Sequence, residues 1–133
     1  MGSLKSFYDI YDKYPLLFPK NCIKCELGWI DIIDQMCSTI QVYLDNHIDG
    51  VDLEFEFEKI EETFGVLETS VRGGDEITEI IVKSCRKISY VTCEFCGKQQ
   101  SELYCSSKHK QWSYYKTLCL EHAIELFYYR LYT

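Results

Sequence analysis

Four residues in the last third of this 133-residue chain constrain its folding more than any other feature. They are Cys93, Cys96, Cys119 and His122, in the order C-x2-C-x22-C-x2-H. Two thiolates three residues apart on a tight turn reach one ion, and Gly97 directly after them lets backbone amides turn toward the sulfurs. The second pair falls where the first turn of a helix is expected, and residues i and i+3 of a helix share a face. The positive end of a helix also favours thiolate over thiol. With a hairpin expected between the pairs, the order is knuckle, hairpin, helix, which is the layout of zinc ribbons and treble clefs. The pattern predicts one zinc ion, structural in role because four protein donors close its shell. Cys105 and His109 lie inside the same span and compete for a place among the four.

The remaining cysteines read differently. Cys22-x2-Cys25 has knuckle spacing but no matching pair beside it. It reads first as loop and core cysteine, with Cys37 and Cys85 as the residues a second metal site would draw in. The compartment matters here, because an even cysteine count in a secreted chain would suggest disulfides. The first fifteen residues alternate charged and aromatic side chains and do not form a signal peptide. No apolar run approaches the roughly 20 residues that span a bilayer. A cytoplasmic protein with reduced cysteines is therefore expected.

Hydrophobic residues make up 47% of the chain and aromatics 15%, enough to drive folding of one domain of this length. Within it, residues 1–92 are expected to form a helix and hairpin core, and residues 93–133 a zinc-ribbon subdomain. Helical spacing of Leu4, Phe7, Tyr8, Tyr11 and Tyr14 predicts a first helix that Pro15 closes, followed by a loop over 15–25. Trp29, Ile33, Met36, Cys37, Ile40, Tyr43 and Leu44 predict a second helix over 28–46, ended by a turn at 47–50. A strand over 51–58 alternates Val51, Leu53, Phe55 and Phe57 with Asp52, Glu54, Glu56 and Glu58. After a connection containing a bulge or helical turn, a second strand follows over 66–71. Gly73 and Gly74 then break the chain. Asp75 caps a third helix whose first turn carries Glu76 and Glu79 and whose buried face is Ile77, Ile80, Ile81, Cys85 and Ile88. That helix runs into Cys93. Short strands over 101–105 and 111–117 flank a polar turn, and a last helix starts near Thr117 and packs through Leu120, Ala123, Leu126, Phe127 and Leu131. The fold class is thus α+β, with the hairpin's Leu53, Phe55 and Phe57 set against Trp29, Ile33 and Ile80.

Charge is unevenly placed. The net charge is −7, but twelve acidic residues between Asp45 and Glu79 face only Lys59 and Arg72, a local balance of −10. Residues 80–133 carry eight Lys or Arg against four Glu, a balance of +4. An acidic middle opposes phosphate binding over the whole surface. Asp52, Glu54, Glu56 and Glu58 should project at roughly 7 Å intervals from one strand face. Two readings of that row stand: a charged edge that resists strand-to-strand aggregation, and a partner-binding row matched to a basic groove on a nucleic-acid-binding target.

Several segments together resemble one family. The run 24–29, KCELGW, with IIDQMC at 32–37, is similar to an "ECGDGW…LIDxLC" segment of small bacteriophage and prophage proteins. EETFGVL at 61–67 resembles that family's "KEKFGGLR" stretch, and TCEFCG at 92–97 with TLCLEHA at 117–123 resembles its "TCExCG…TLCxEHA" ending. The resemblance covers about residues 14–123 and is most specific in the C-terminal motif. Two departures stand out: Glu61 and Glu68 occupy the positions of basic residues, and no Asp lies between Cys25 and Trp29. The resemblance implies a phage origin and a zinc ribbon, hence the cytoplasm of a bacterial host, and it brings no activity with it.

Catalysis is the least supported class, since the chain has three histidines, no phosphate-binding glycine loop and no nucleophile elbow. The acids of the first strand read as a solvated face before they read as a divalent-metal cluster. A nucleic-acid-binding ribbon would use Lys108, Lys110, Lys116 and Arg130 with Trp112, Tyr114, Tyr115, Tyr128 and Tyr129 as stacking partners. The preferred expectation is a phage accessory protein that binds a host protein and modulates it, as an inhibitor of a bacterial defence system would. The sequence does not decide between monomer and dimer.

Overall fold

The computed structural model describes residues 4–47, 53–105, 115–126 and 128–130, with the side chains of 129 and 130 set aside. Within them the fold is mixed α and β, with four α-helices and two three-stranded sheets.

Helix α1 spans Phe7–Lys13, and the Asp9 carboxylate accepts the N–H groups of Ser6 and Lys5 at its start. Tyr14 follows, buried, with its hydroxyl donating to Asp34 at 2.6 Å. The stretch after Pro15 is more than a loop. Leu17, Phe18 and Cys22 are buried, and Ile23–Lys24 forms a short strand β1. A single 3₁₀ turn, Leu27–Trp29, leads into helix α2, Ile30–Asp45. Trp29, Ile33, Met36, Cys37 and Ile40 are fully buried, as the spacing predicts.

Strand β2 spans Phe55–Thr63 and β3 spans Val66–Gly73, an antiparallel pair. The predicted first strand thus starts later and runs further. Alternation holds for Phe55 and Phe57. A bulge between Phe57 and Lys59 then leaves Glu58 and Lys59 both exposed and returns Ile60 to the core. Phe64 and Gly65, at φ 52° and 81°, make the two-residue turn. Positive φ at both central positions gives a turn whose twist matches the strands. Strand β1 pairs in parallel with β2 at Ile60 and Glu61, so the sheet order is β1-β2-β3.

Helix α3, Glu76–Ser89, begins at Asp75, whose carboxylate accepts the Thr78 N–H at 3.0 Å. The expected buried face needs correction. Ile77 and Ile80 are 44% and 53% exposed, and the inward stripe is Thr78, Cys85 and Ser89 with Ile81, Val82 and Ile88. Thr78 can be buried because its hydroxyl is satisfied at the cap, bonding the Asp75 carbonyl and amide. Ile80 therefore does not back the hairpin, whereas Phe55 and Phe57 share one core with Trp29 and Ile33, and Leu53 is half-buried. The helix also stops short of Cys93, and residues 90–92 continue as hydrogen-bonded turns.

A second, smaller core gathers Cys93, Tyr104, Leu118, Cys119 and Ala123. Strand β4 is Glu102–Cys105 and β5 is Tyr115–Leu118, so Thr117 belongs to a strand and not to the last helix. Helix α4, Leu120–Glu125, is shorter than predicted: Ala123 is buried, while Leu120 and Leu126 are exposed. The chain then returns as strand β6, Tyr129–Arg130, against β4, giving the order β5-β4-β6. Phe127, Leu131, the turn at 48–50 and the stretch 106–114 lie outside the described residues.

Candidate metal centre

The four residues singled out by spacing converge. One donor atom from each of Cys93, Cys96, Cys119 and His122 lies within 4.8 Å of the others. The Cys96 and Cys119 sulfurs are 3.8 Å apart, and His122 Nδ1 lies 3.2 Å from the Cys119 sulfur and 3.6 Å from that of Cys93. A tetrahedral zinc with bonds of about 2.3 Å to sulfur and about 2.0 Å to nitrogen sets edges near 3.8 Å and 3.5 Å. The chemistry of the donor set suits such an ion, and these three separations lie close to its edges.

Local structure places each donor. Gly97, at φ 79°, closes the knuckle by donating to the Cys93 carbonyl at 2.8 Å, and the Cys93 N–H bonds the Lys98 carbonyl at 3.0 Å. Cys119 is the cap of α4, and His122 sits on its first turn. The imidazole stacks on Phe95, with ring centroids 5.7 Å apart, and its Nε2 lies 4.0 Å from the Glu125 carboxylate. Such an outer partner helps fix the ring's orientation. Burial raises the Cys93 thiol pKa, but N–H groups of Cys119, Cys96 and Phe95 outweigh it and bring the value down to about 7. Those amides favour a thiolate, which is the form that ligates metal. Cys93 and Cys119 are buried, His122 half-buried and Cys96 exposed.

This cluster is fastened to the larger core by residues that flank its four donors. The Trp29 indole N–H donates to the Thr92 carbonyl at 2.9 Å. Glu94, only 1% exposed, accepts the Glu26 N–H at 3.2 Å and Lys116 Nζ at 3.1 Å. Lys116 in turn reaches Glu62 at 2.7 Å, and the Thr117 hydroxyl donates to the Gly65 carbonyl at 2.7 Å. Burial lowers the Lys116 pKa, but both carboxylates outweigh it and hold the amine above the ordinary lysine range. Gly28 lies where a Cβ would come within 2.3 Å of the carbonyl oxygens of Cys93 and Glu94. Sequence reading missed this seam. Its one visible signal was an acidic residue inside the knuckle.

The other predicted residues sit elsewhere. Cys105 is half-buried on β4 opposite Tyr115 and does not join the cluster, and His109 lies outside the described residues. Cys22 is buried with its thiol toward the Phe57 carbonyl, and Cys25 is half-buried with its pKa pushed up to about 12 by burial and then by the Glu94 charge. Neither belongs to a second metal-ligating group among the described residues. Of the acidic row, Asp52 lies outside the described residues, Glu54 precedes β2, Glu56 pairs with Arg72 at 3.3 Å, and Glu58 sits at the bulge. The row also does not run along an open edge, since the Phe57 and Ile60 N–H groups bond the Leu17 and Cys22 carbonyls. Lys116 is turned into the seam, where it pairs with Glu62 and Glu94, and Tyr115 and Tyr128 are half-buried. Lys108, Lys110, Trp112, Tyr114 and the side chains of Tyr129 and Arg130 are not among the described ones.

Fold and site together define a small mixed α and β protein with a three-cysteine, one-histidine cluster able to hold a metal ion. No protein-family model matches the chain, and no curated protein or solved structure matches it significantly. Among the described residues no helix is long and apolar enough to cross a membrane.

Proposed function

We propose that Cys93, Cys96, Cys119 and His122 hold one structural zinc ion in a zinc-ribbon or treble-clef-like module, and that the chain acts by binding a partner protein and not by catalysis. The observation that carries the metal reading is the approach of four donor atoms to within 4.8 Å of one another, three of the separations lying at 3.2, 3.6 and 3.8 Å, near the edges of a tetrahedral ion. Four protein donors leave no position for water or substrate, so the ion's role is to tie the knuckle to α4. The resemblance to small phage proteins supports a host protein as the partner, with inhibition of a bacterial defence system as the role. The acidic character of residues 45–79 supports a basic partner surface.

The metal reading is tested by elemental analysis of protein purified without chelator. About one zinc per chain is expected, and His122→Ala should lose it together with order in the C-terminal third. Metal-free protein with native dichroism would overturn the reading. A tagged pull-down from the bacterial host tests the partner, and a partner recovered equally well by a scrambled-charge control would refute it.

A further inference from the structure

The open edge of the larger sheet has the form of a peptide-binding site, and this inference rests on the partner-binding reading above. In the β2–β3 ladder, Ile60 stands opposite Thr69 and Phe57 opposite Val71. The N–H groups of Ile60 and Phe57 point away from β3, bonding Cys22 and Leu17 at 3.1 and 2.8 Å. These pairs are therefore of the non-hydrogen-bonded kind, so the N–H and C=O groups of Thr69 and Val71 face outward too. The Leu67 N–H confirms the direction, since it leaves the sheet to meet the Ser89 hydroxyl at 3.1 Å. Beyond Leu67 the edge is unpaired among the described residues.

That edge forms one wall of a cleft of about 460 Å³, and α3 forms the other. Phe55, Val71 and Val82 give it an apolar floor, and its rim carries Asp75 beside Glu79 and Lys83, which are ion-paired at 2.9 Å. One end is closed by the Gly73–Gly74 connection, and the other by the Leu67–Ser89 bond and an Arg86–Glu68 ion pair at 2.7 Å. Outward groups two residues apart along a strand recur every 6.8 Å or so, which only another extended backbone matches. A second copy of this chain would bring a like-charged surface, because the net charge is −7 and the acidic stretch 45–79 includes this edge. A basic partner meets the opposite condition.

We propose that β3 takes up an extended, basic segment of a partner protein as an added strand, bonded through the main chain of Thr69 and Val71, with an apolar side chain on the Phe55, Val71 and Val82 floor.

The test begins with the full chain and a random library of linear twelve-residue peptides displayed on yeast. Recovered binders should be rich in Lys or Arg. In the bound state, hydrogen exchange should slow at the Thr69 and Val71 amides and not at Glu68 or Ser70. N-methylation of alternate peptide residues should weaken binding about tenfold each, with intervening positions tolerant. Thr69→Pro, which removes an outward N–H and no bond of the β2–β3 ladder, should weaken it similarly. Four results would overturn the proposal: no peptide recovered, a helical period in the N-methyl scan, unchanged exchange at Thr69 and Val71, or a dimer that Thr69→Pro abolishes. A host partner captured equally by wild type and Thr69→Pro would remove this edge while leaving partner binding itself in place.

Discussion

Replacing Lys116 with Met removes the one cation that touches Glu94 among the described residues. The amine lies 3.1 Å from the Glu94 carboxylate and 2.7 Å from that of Glu62. At an effective dielectric near 20, each contact carries about 5–6 kcal/mol of gross attraction. Most of that offsets the desolvation of the ions themselves. What the substitution uncovers is a carboxylate almost wholly enclosed, left with one backbone N–H. Breaking one side of a buried pair costs about 3–5 kcal/mol, a large share of the roughly 5–15 kcal/mol that holds a domain together. Burial already raises the Glu94 pKa, and Lys116 opposes that rise. Without Lys116 the folded pKa moves further above the unfolded one. A raised acid contributes stability below its unfolded pKa and loses it as pH rises through the folded value. The deficit should thus be largest at neutral pH and shrink toward pH 4–5, near the ordinary Glu range of about 4.3. Urea denaturation at pH 7 and fixed zinc measures it. Adding Glu94→Gln should return at least half of the loss, because the orphaned charge goes with it. A single-variant cost below about 1 kcal/mol, or strict additivity in the double variant, would refute the assignment of this ion pair as a buried fastening.

Gly28→Ala should lower both the denaturation midpoint and zinc affinity, with a stability loss of about 2–3 kcal/mol, because a Cβ there meets two backbone carbonyls at 2.3 Å. Equal zinc affinity in the variant would mean the knuckle shifts freely. Phe64→Asn should stabilise the hairpin by about 0.5–1 kcal/mol, since Phe64 is 69% exposed and holds φ 52°, a conformation Asn tolerates better. Thermal denaturation decides the sign. Cys25, with its pKa pushed up to about 12, should resist iodoacetamide at pH 8 far longer than a free thiol of ordinary pKa near 8.5. Peptide mapping of the labelled protein reads this directly.

Which features the sequence made legible follows from how local their causes are. The cluster of four donor residues was readable because i, i+3 pairs on a knuckle and a helix turn need no distant information. Helix α2 and the Phe55–Phe57 alternation were readable for the same reason. Strands β1 and β6 were not, because two residues carry no period and their pairing depends on strands far away in sequence. The face of α3 was misread because Ile77 and Ile80 outrank Thr78 in hydrophobicity. A threonine whose hydroxyl is used at the cap nevertheless goes inside. The bulge at Glu58 broke the acidic row, and only the register with β3 reveals it. The seam joins residues more than fifty apart, as in Lys116 with Glu62, so no window of sequence contains it.

The bond from Trp29 to the Thr92 carbonyl gives the molecule an optical gauge of its own. This indole is fully buried and touches the residue just before Cys93, the first of the four clustered donors. A dry indole emits at shorter wavelength than one that meets water, so Trp29 brightness and colour follow whether Thr92 stays seated. The chain's other tryptophan is Trp112, and Trp112→Phe leaves a single emitter. Titrating chelator into that variant then separates two events that dichroism blends: release of the knuckle from the core, and melting of the core itself.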